Sequence, residues 1–415
     1  MNAACFILLG ILILMLCALW IYFSMLYRNQ NVIITPYVTE LSTIPTNYTI
    51  RIVTPRSQGP YYDALLYQKV LSNSEIYFTD ACDKIVKDIT IYLSLNDINI
   101  SSFPTTTTWL MVNQELLDES QFKFLKNIDV FLCKSLYSYN IMVEQFNKYK
   151  SAVFKSTCNI IYTRHSSMDF GKIIHNNILI SNDSSVGDRT CYNDIEQMVD
   201  HKNYKQFIHF AGSNPYKNTN LIINTWIKNG GFPDLNYPEL IVTCKLDCLN
   251  SCSMLFTEFI KTDVPGKYIH PKIPNMILYT HISQNKLVKY MSSGGFFIMP
   301  SMCEGYGHSI NEARSVCGTI ITTDHAPMNE LINENSGFLI QPRATAPCDN
   351  LLFGKTIDGS NYAIIDEDDI KNIIYKACLT PIDRLKEMGV ASRRLYEADT
   401  KYFFDTMDKF INNKK

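Results

Sequence analysis

The stretch "FFIMPSMCEGYGHSINEARSVCGTIITTD", residues 296–324, decides how the chain is read. Phe296–Pro300 reads as a strand that runs into a glycine-bearing loop, and "GTIITTD" reads as the next strand. Between them a helix is expected from about His308 to Cys317, with Ile310, Ala313 and Cys317 on its buried face. Gly305 and Gly307 let backbone N–H groups approach a ligand closely. The helix N-terminus behind them favours an anion. Two carboxylates, Glu304 and Glu312, stand eight residues apart across this turn. Eight helical residues span about 12 Å, too far for the pair to share one proton or one metal easily. They suit the two ends of an elongated ligand whose anionic middle sits at the helix N-terminus. A nucleotide sugar, built as hexose, diphosphate and ribose, has that form.

Upstream, "FIHFAGSNPYKNTNLIINTWIKNGG" (207–231) repeats the strand–turn–helix layout. The strand ends at Gly212, and Lys217 precedes a helix whose Leu221, Ile222, Thr225 and Trp226 can pack. A lysine there can neutralise a departing diphosphate. Around these two motifs "QFIHFAG", "ELIVTC", "NMILYT", "GGFFIMPS", "GTIITTD" and "GFLIQP" are six strand candidates, most of them separated by helical patterns. The first half carries "YTIRIVTP", "SEIYFT", "DITIYLS", "TWLMVN", "IDVFLC" and "TCNIIYT" in the same manner, with a helix expected from Tyr61 to Leu71. Strands alternating with helices imply parallel sheets covered on both faces. The fold class expected is therefore α/β, with two Rossmann-like domains facing across a cleft, where such sheets bind ligands. The expected layout is a stem at 28–46, a first domain at 47–190, a polar linker at 181–203, a second domain at 204–385 and a C-terminal helix at 386–413.

A chain of 415 residues is too long for one core, which agrees with two domains. A formal net charge of −2 gives no electrostatic footprint for nucleic acid. Residues 4–27, "ACFILLGILILMLCALWIYFSMLY", contain no charge. As a helix they reach about 35 Å, enough to cross a bilayer core, and a transmembrane anchor is expected. The segment lacks the basic start and small-residue cleavage site of a signal peptide. No Lys or Arg precedes it and Arg28 follows, which favours a cytosolic body. Thirteen cysteines, an odd number, fit reduced thiols better than a disulfide framework. Against this, Asn47-Tyr-Thr, Asn99-Ile-Ser and Asn182-Asp-Ser read as glycosylation sequons.

The segment "PSMCEGYGHSINEA…GTIITTD" resembles the E-x7-E signature of family 4 retaining glycosyltransferases with the GT-B fold. The downstream "APMNELI" is similar to the segment where that family places another Glu. The resemblance implies that Glu304 binds hydroxyls of the donor sugar and Glu312 the ribose diol. It implies that the amides of Gly305, Tyr306, Gly307, His308 and Ser309 face the sugar and diphosphate. Gly212 and Lys217 resemble the family's glycine–turn–lysine donor loop, but Ser213 and Asn214 stand where a basic residue usually accompanies the lysine. In the first half, Gly59 and Asp63 of "VTPRSQGPYYD" are expected to line the acceptor side, as are Asn113 and Glu115 of "WLMVNQE". His165 of "IYTRHSSMD" is a candidate catalytic histidine, and Lys134 reads as a helix-start lysine. No metal site is expected. Cys244, Cys248 and Cys252 lack a fourth ligand nearby, and the acids of "IIDEDDIKN" read as a helix N-cap with first-turn carboxylates.

The function implied is hexosyl transfer from a nucleotide-diphosphate sugar to a glycan, lipid or protein acceptor, with retention of anomeric configuration and no other cofactor. A nucleotide-sugar 2-epimerase on the same fold, or a non-catalytic binder of sugar nucleotides, are the other readings.

Overall fold

The computed structural model describes residues 43–95, 102–117, 119–175, 195–212, 214–244, 258–348 and 359–412. The anchor expected at 4–27, most of the stem, and Cys248 and Cys252 lie outside these residues. Among the described residues no helix is long and apolar enough to cross a membrane.

Two parallel sheets carry the chain from Tyr37 onward as one unit. The first holds β1 (Ile50–Thr54), β2 (Ser74–Phe78), β3 (Lys87–Tyr92), β4 (Thr105–Val112), β5 (Val130–Cys133) and β6 (Asn159–Tyr162). Its order is β2-β1-β3-β4-β5-β6, all parallel. The second holds β7 (Asn203–Gly212), β8 (Glu239–Cys244), β9 (Ile260–Lys261), β10 (Lys267–His270), β11 (Ile273–Tyr279), β12 (Gly294–Met299), β13 (Thr319–Thr323) and β14 (Gly337–Ile340). Its order is β14-β13-β12-β7-β8-β11-β10-β9, all parallel except that β10 is antiparallel to both of its neighbours. A separate hairpin pairs β15 (Ala344–Pro347) with β16 (Asn361–Ile364).

The strands form where apolar runs are buried on both faces, as β1, β12 and β13 are along their whole length. One exception is Arg51 in β1, which is buried with its two terminal nitrogens paired. Its guanidinium donates to the Asp83 carboxylate at 2.6 Å, Ile85 O at 2.7 Å and Pro104 O at 3.2 Å. Topology then sets the site. In the second sheet the strand order reverses between β7 and β12, so the loops after these two strands emerge side by side at the carboxyl edge. Those loops carry Lys217 and Glu304.

The helix Gln58–Val70 follows β1, beginning three residues earlier than expected. The helix after the Glu304 loop runs His308–Ser315, and the acids at Asp366–Asp369 do form an N-cap, with a reciprocal capping box opening the helix Glu367–Leu379. The end of the expected linker is structured: Ile195–Asp200 is a helix, and Met198 and Val199 pack with Phe170 and Ile173 against the second sheet. Phe170 and Ile173, inside the expected first domain, thus belong to the second core.

The C-terminal helix is one unbroken element, Ile382–Asn412, of 31 residues and about 46 Å. Leu385 and Met388 lie in the second core, whereas Phe403, Met407 and Ile411 lie in the first. Between them Arg393 donates to both carboxylate oxygens of Asp169, at 2.6 and 3.0 Å, and Asp399 receives Arg314 at 2.7 Å. The helix therefore joins the two lobes through its own core residues. Phe403 is fully buried against Tyr67 and His165. Phe403→Ala should cost about 3–5 kcal/mol, measured by urea denaturation; a loss below about 1 kcal/mol would mean that the helix end does not hold the first lobe.

Candidate active site

The β12 strand ends at Met299, and the next residues turn back over the sheet edge. Ser301 Oγ donates to Glu304 Oε1 at 2.7 Å, Met302 N donates to Tyr216 O at 2.8 Å, and Asn218 Nδ2 donates to Pro300 O at 2.8 Å. These bonds stitch the Glu304 loop to the Lys217 turn. Gly212 and Gly307 have φ of 59° and 102°, the left-handed region that glycine adopts without strain, so the first loop leaves its strand and the second enters its helix through glycine. Gly307 is the N-cap of the site helix, and Ile310 and Ala313 anchor that helix in the core.

On this frame the Lys217 ammonium pairs with Glu304 Oε1 and donates to Ser309 Oγ at 3.3 Å. Glu312 lies one turn further along the helix, half-buried. Burial pushes its carboxyl up to about 7, against the pull of His308 and Lys217. Lys217, Glu304, Ser309 and Glu312 thus share one end of the site helix.

The first lobe closes onto the same place. Gln114 Nε2 donates to Glu304 O at 2.9 Å, and a Cβ on Gly305 would lie 2.6 Å from Asn113 Oδ1 and 2.7 Å from Glu115 Oε1. Only glycine fits there. Asn113 Oδ1, Gln114 Oε1 and Glu115 Oε2 are buried without a protein partner, leaving three acceptors that a hydroxyl-rich ligand can satisfy. Burial raises the Glu115 carboxyl to about 7.

Asp63, Lys134, His165 and His308 meet at the seam. Asp63 Oδ1 accepts from His165 Nε2 at 2.6 Å and His308 Nε2 at 2.8 Å, and Oδ2 accepts from Lys134 Nζ at 3.1 Å. Burial alone would raise the Asp63 carboxyl, but Lys134, His308 and His165 outweigh it and hold it well below the usual range. Burial pushes His165 down to about 4, so its ring is neutral near neutral pH. Its single proton sits on Nε2, because the carboxylate can only accept, and Nδ1 has no protein partner. The Asp63, His165 and His308 ligand atoms lie within 4.8 Å of one another, a spacing that a metal could use. Lys134 already brings a cation to the same carboxylate, and the arrangement reads as a hydrogen-bonded network.

Of the remaining expectations, Gly59 is exposed in the first turn of the helix that carries Asp63, with open space around it. Lys134 does precede a helix, Leu136–Tyr149, but it is buried and paired with Asp63. Glu330 of "APMNELI" accepts from Leu136 N and Tyr137 N, both at 2.7 Å, and so caps that first-lobe helix from the second lobe. Tyr306 makes a similar bridge, its hydroxyl donating to His165 O at 2.9 Å. These bridging roles carry no local sequence signature, since each partner lies far away along the chain.

Residues 270–347 match the family model described as glycosyl transferases group 1. The fold is similar to the pneumococcal O-GlcNAc transferase GtfA in complex with UDP and GlcNAc, with 16% identity, TM-score 0.51 and coverage of 78% of this chain and 56% of that one. It is also similar to Anabaena HepE in complex with UDP and glucose, with 10% identity, TM-score 0.54 and coverage of 88% and 100%. A glycosyltransferase from Rickettsia africae is a third such structure, with 12% identity, TM-score 0.51 and coverage of 89% and 99%. The chain spans 57% and 56% of the chains in the two GtfA structures. No curated protein matched. The likeness establishes a GT-B-like glycosyltransferase fold, and with the family match it supports a glycosyltransferase.

Glu115 and Glu312 sit at about 7 in the fold, against 4.5 for an ordinary glutamate. Between those values the folded chain holds more protons than the unfolded one. Their contribution is therefore complete below about 4.5 and is lost as pH rises through about 7. A Glu115→Gln/Glu312→Gln chain should gain stability relative to the unsubstituted protein across that window, as read by urea denaturation at stepped pH. Parallel stability curves would show that the two carboxyls are not raised.

Proposed function

We propose that this chain transfers a hexosyl unit from a nucleotide-diphosphate sugar to an acceptor hydroxyl, with retention of anomeric configuration, as a family 4-like enzyme. The observation that carries the reading is the meeting of Lys217 and Glu304 over the N-terminus of the site helix, with Glu312 one turn beyond. In this reading Glu304 takes the sugar hydroxyls, Glu312 takes the ribose diol, and Lys217 with the amides of Gly305–Ser309 faces the diphosphate. Gly212 ends the strand so that the loop can approach the phosphates.

The protein's contribution to the chemistry is electrostatic. As the anomeric C–O bond breaks, its electron pair stays on the phosphate oxygen, and Lys217 and the helix N-terminus stabilise that charge. The reading includes no metal. The acceptor enters from the first lobe, past Gly59, Asn113 and Glu115. Asp63 and His165 are enclosed, so they serve as positioning groups for the seam. Retention follows from the resemblance alone. The uncharged stretch 4–27 supports a membrane anchor and Arg28 behind it a body on the cytosolic face, an arrangement that brings a lipid or membrane-tethered glycan within reach.

Calorimetry of the full chain against UDP-, GDP- and ADP-sugars tests the reading. One donor class should bind at micromolar affinity, and Lys217→Ala and Glu312→Ala should each weaken it about tenfold or more. A folded protein that binds none of them would sink the transferase reading. Binding without transfer to any offered acceptor would move the assignment to a sugar-nucleotide binder.

A further inference from the structure

We propose that the His308 imidazole is the second cationic donor to the diphosphate, replacing the basic residue absent before Lys217, and that Asp63 of the opposite lobe holds it in place. This rests on the donor reading above and adds a residue to it.

The need comes from the loop. Between Gly212 and Asn218 the only cation is Lys217, and its ammonium already serves Glu304 and Ser309. A diphosphate that gains charge on bond cleavage calls for more than one shared ammonium. His308 stands beside Ser309 as the first residue of the site helix, and Glu312 one turn on is within the electrostatic reach of both His308 and Lys217. Two histidines bond Asp63, but they differ in access. The His165 side chain is fully enclosed, whereas that of His308 is 23% exposed.

The proton inventory follows from Asp63. Its Oδ1 only accepts, so His308 Nε2 carries a hydrogen, and Nδ1 is the ring atom left to meet a ligand. In the neutral ring Nδ1 is a lone pair that would repel a phosphate oxygen. A bound diphosphate sets its negative charge against Nδ1 and calls for a second proton there. Nδ1–H taken up from solvent then donates to a phosphate oxygen, and that proton stays on the ring when the C–O bond breaks. Around the ring stand Asp63, which it bonds, Glu312, which lies within its electrostatic reach, and the His165 and Tyr306 rings, while Lys134 and Lys217 act on the same two carboxylates.

The experiment is titration calorimetry of the full chain with UDP and with inorganic pyrophosphate, near pH ~8 where both a free imidazole and Glu312 are largely deprotonated. Each titration is run in two buffers of different ionisation enthalpy. The unsubstituted chain should take up a fraction of a proton per ligand bound. His308→Gln, whose amide still donates to Asp63, should abolish the uptake and weaken binding about ten- to a hundredfold. Undiminished uptake in His308→Gln would assign the proton to Glu312 and overturn the inference, as would unchanged affinity. Should that variant unfold, the imidazole nitrogen resonances of the unsubstituted chain decide: the His308 ring must gain a proton on UDP addition, and an unaltered ring overturns the proposal. If the folded chain binds neither UDP nor pyrophosphate, the titrations are repeated with GDP and ADP and with the three nucleotide sugars, and binding to none of them brings down the donor reading and this one with it. Normal binding with a silent His308 removes only the second donor.

Discussion

The buried Asp63 carboxylate is the constraint on which the closed arrangement of the two lobes depends. A carboxylate in a protein interior is costly unless its charge is met and its lone pairs are filled. Here Lys134 supplies the charge, and His165 and His308 fill the remaining oxygen. Three of the four groups belong to the first lobe and one to the second. The seam is therefore set by a polar demand, and separating the lobes would remove one of Asp63's three donors. Burial of this kind specifies position more than it adds stability, because each charge gives up its hydration to enter.

Around that point the other bridges act in one direction. Glu330 satisfies two free N–H groups at the start of the helix Leu136–Tyr149, and Tyr306 reaches His165 O. The C-terminal helix adds apolar burial in both cores and places the Arg393–Asp169 and Arg314–Asp399 pairs between them. A cleft built this way brings Asn113 and Glu115 against Gly305 from the opposite side of the donor loop. The first lobe contributes acceptors there and the second contributes Lys217 with the helix N-terminus. On the donor reading, a ligand with hydroxyls at one end and phosphates in the middle meets complementary groups at each.

What the sequence made legible is what local physics determines. The twelve strand candidates all appear, the central ones because strands buried on both faces run as continuous apolar stretches, and the half-buried edge strands β2 and β6 through their short apolar runs. β9, β10, β15 and β16 escaped because they are short and partly exposed, with mixed sequences such as "KYIH" and "ATAP". The Glu304–Glu312 motif was readable because its strand, loop and helix are contiguous. The Asp63 network was not, since its members follow β1, β5, β6 and β12 and meet only once two sheets are built and apposed. Lys134 shows the difference: its place before a helix was visible, while its partner lay 71 residues away. The unbroken C-terminal helix and its passage between cores likewise depend on a tertiary surface that periodicity alone does not reveal.

The Lys217–Glu304 pair has a consequence for selectivity. Both side chains are largely buried, at 13% and 10% exposure, so separating them without replacement leaves two poorly hydrated charges. On the donor reading, a diphosphate gives Lys217 a new anion while a sugar hydroxyl gives Glu304 a new donor. A free sugar offers only the second exchange and a free nucleotide only the first. Each would leave one member of the pair short of a partner, or bind beside the intact pair and forgo its best contacts. A nucleotide sugar makes both exchanges at once, in the order that the strand, loop and helix present them. On that reading the ion pair that holds the two loops together discriminates for the whole donor over either of its halves, through the desolvation of groups that belong to the protein.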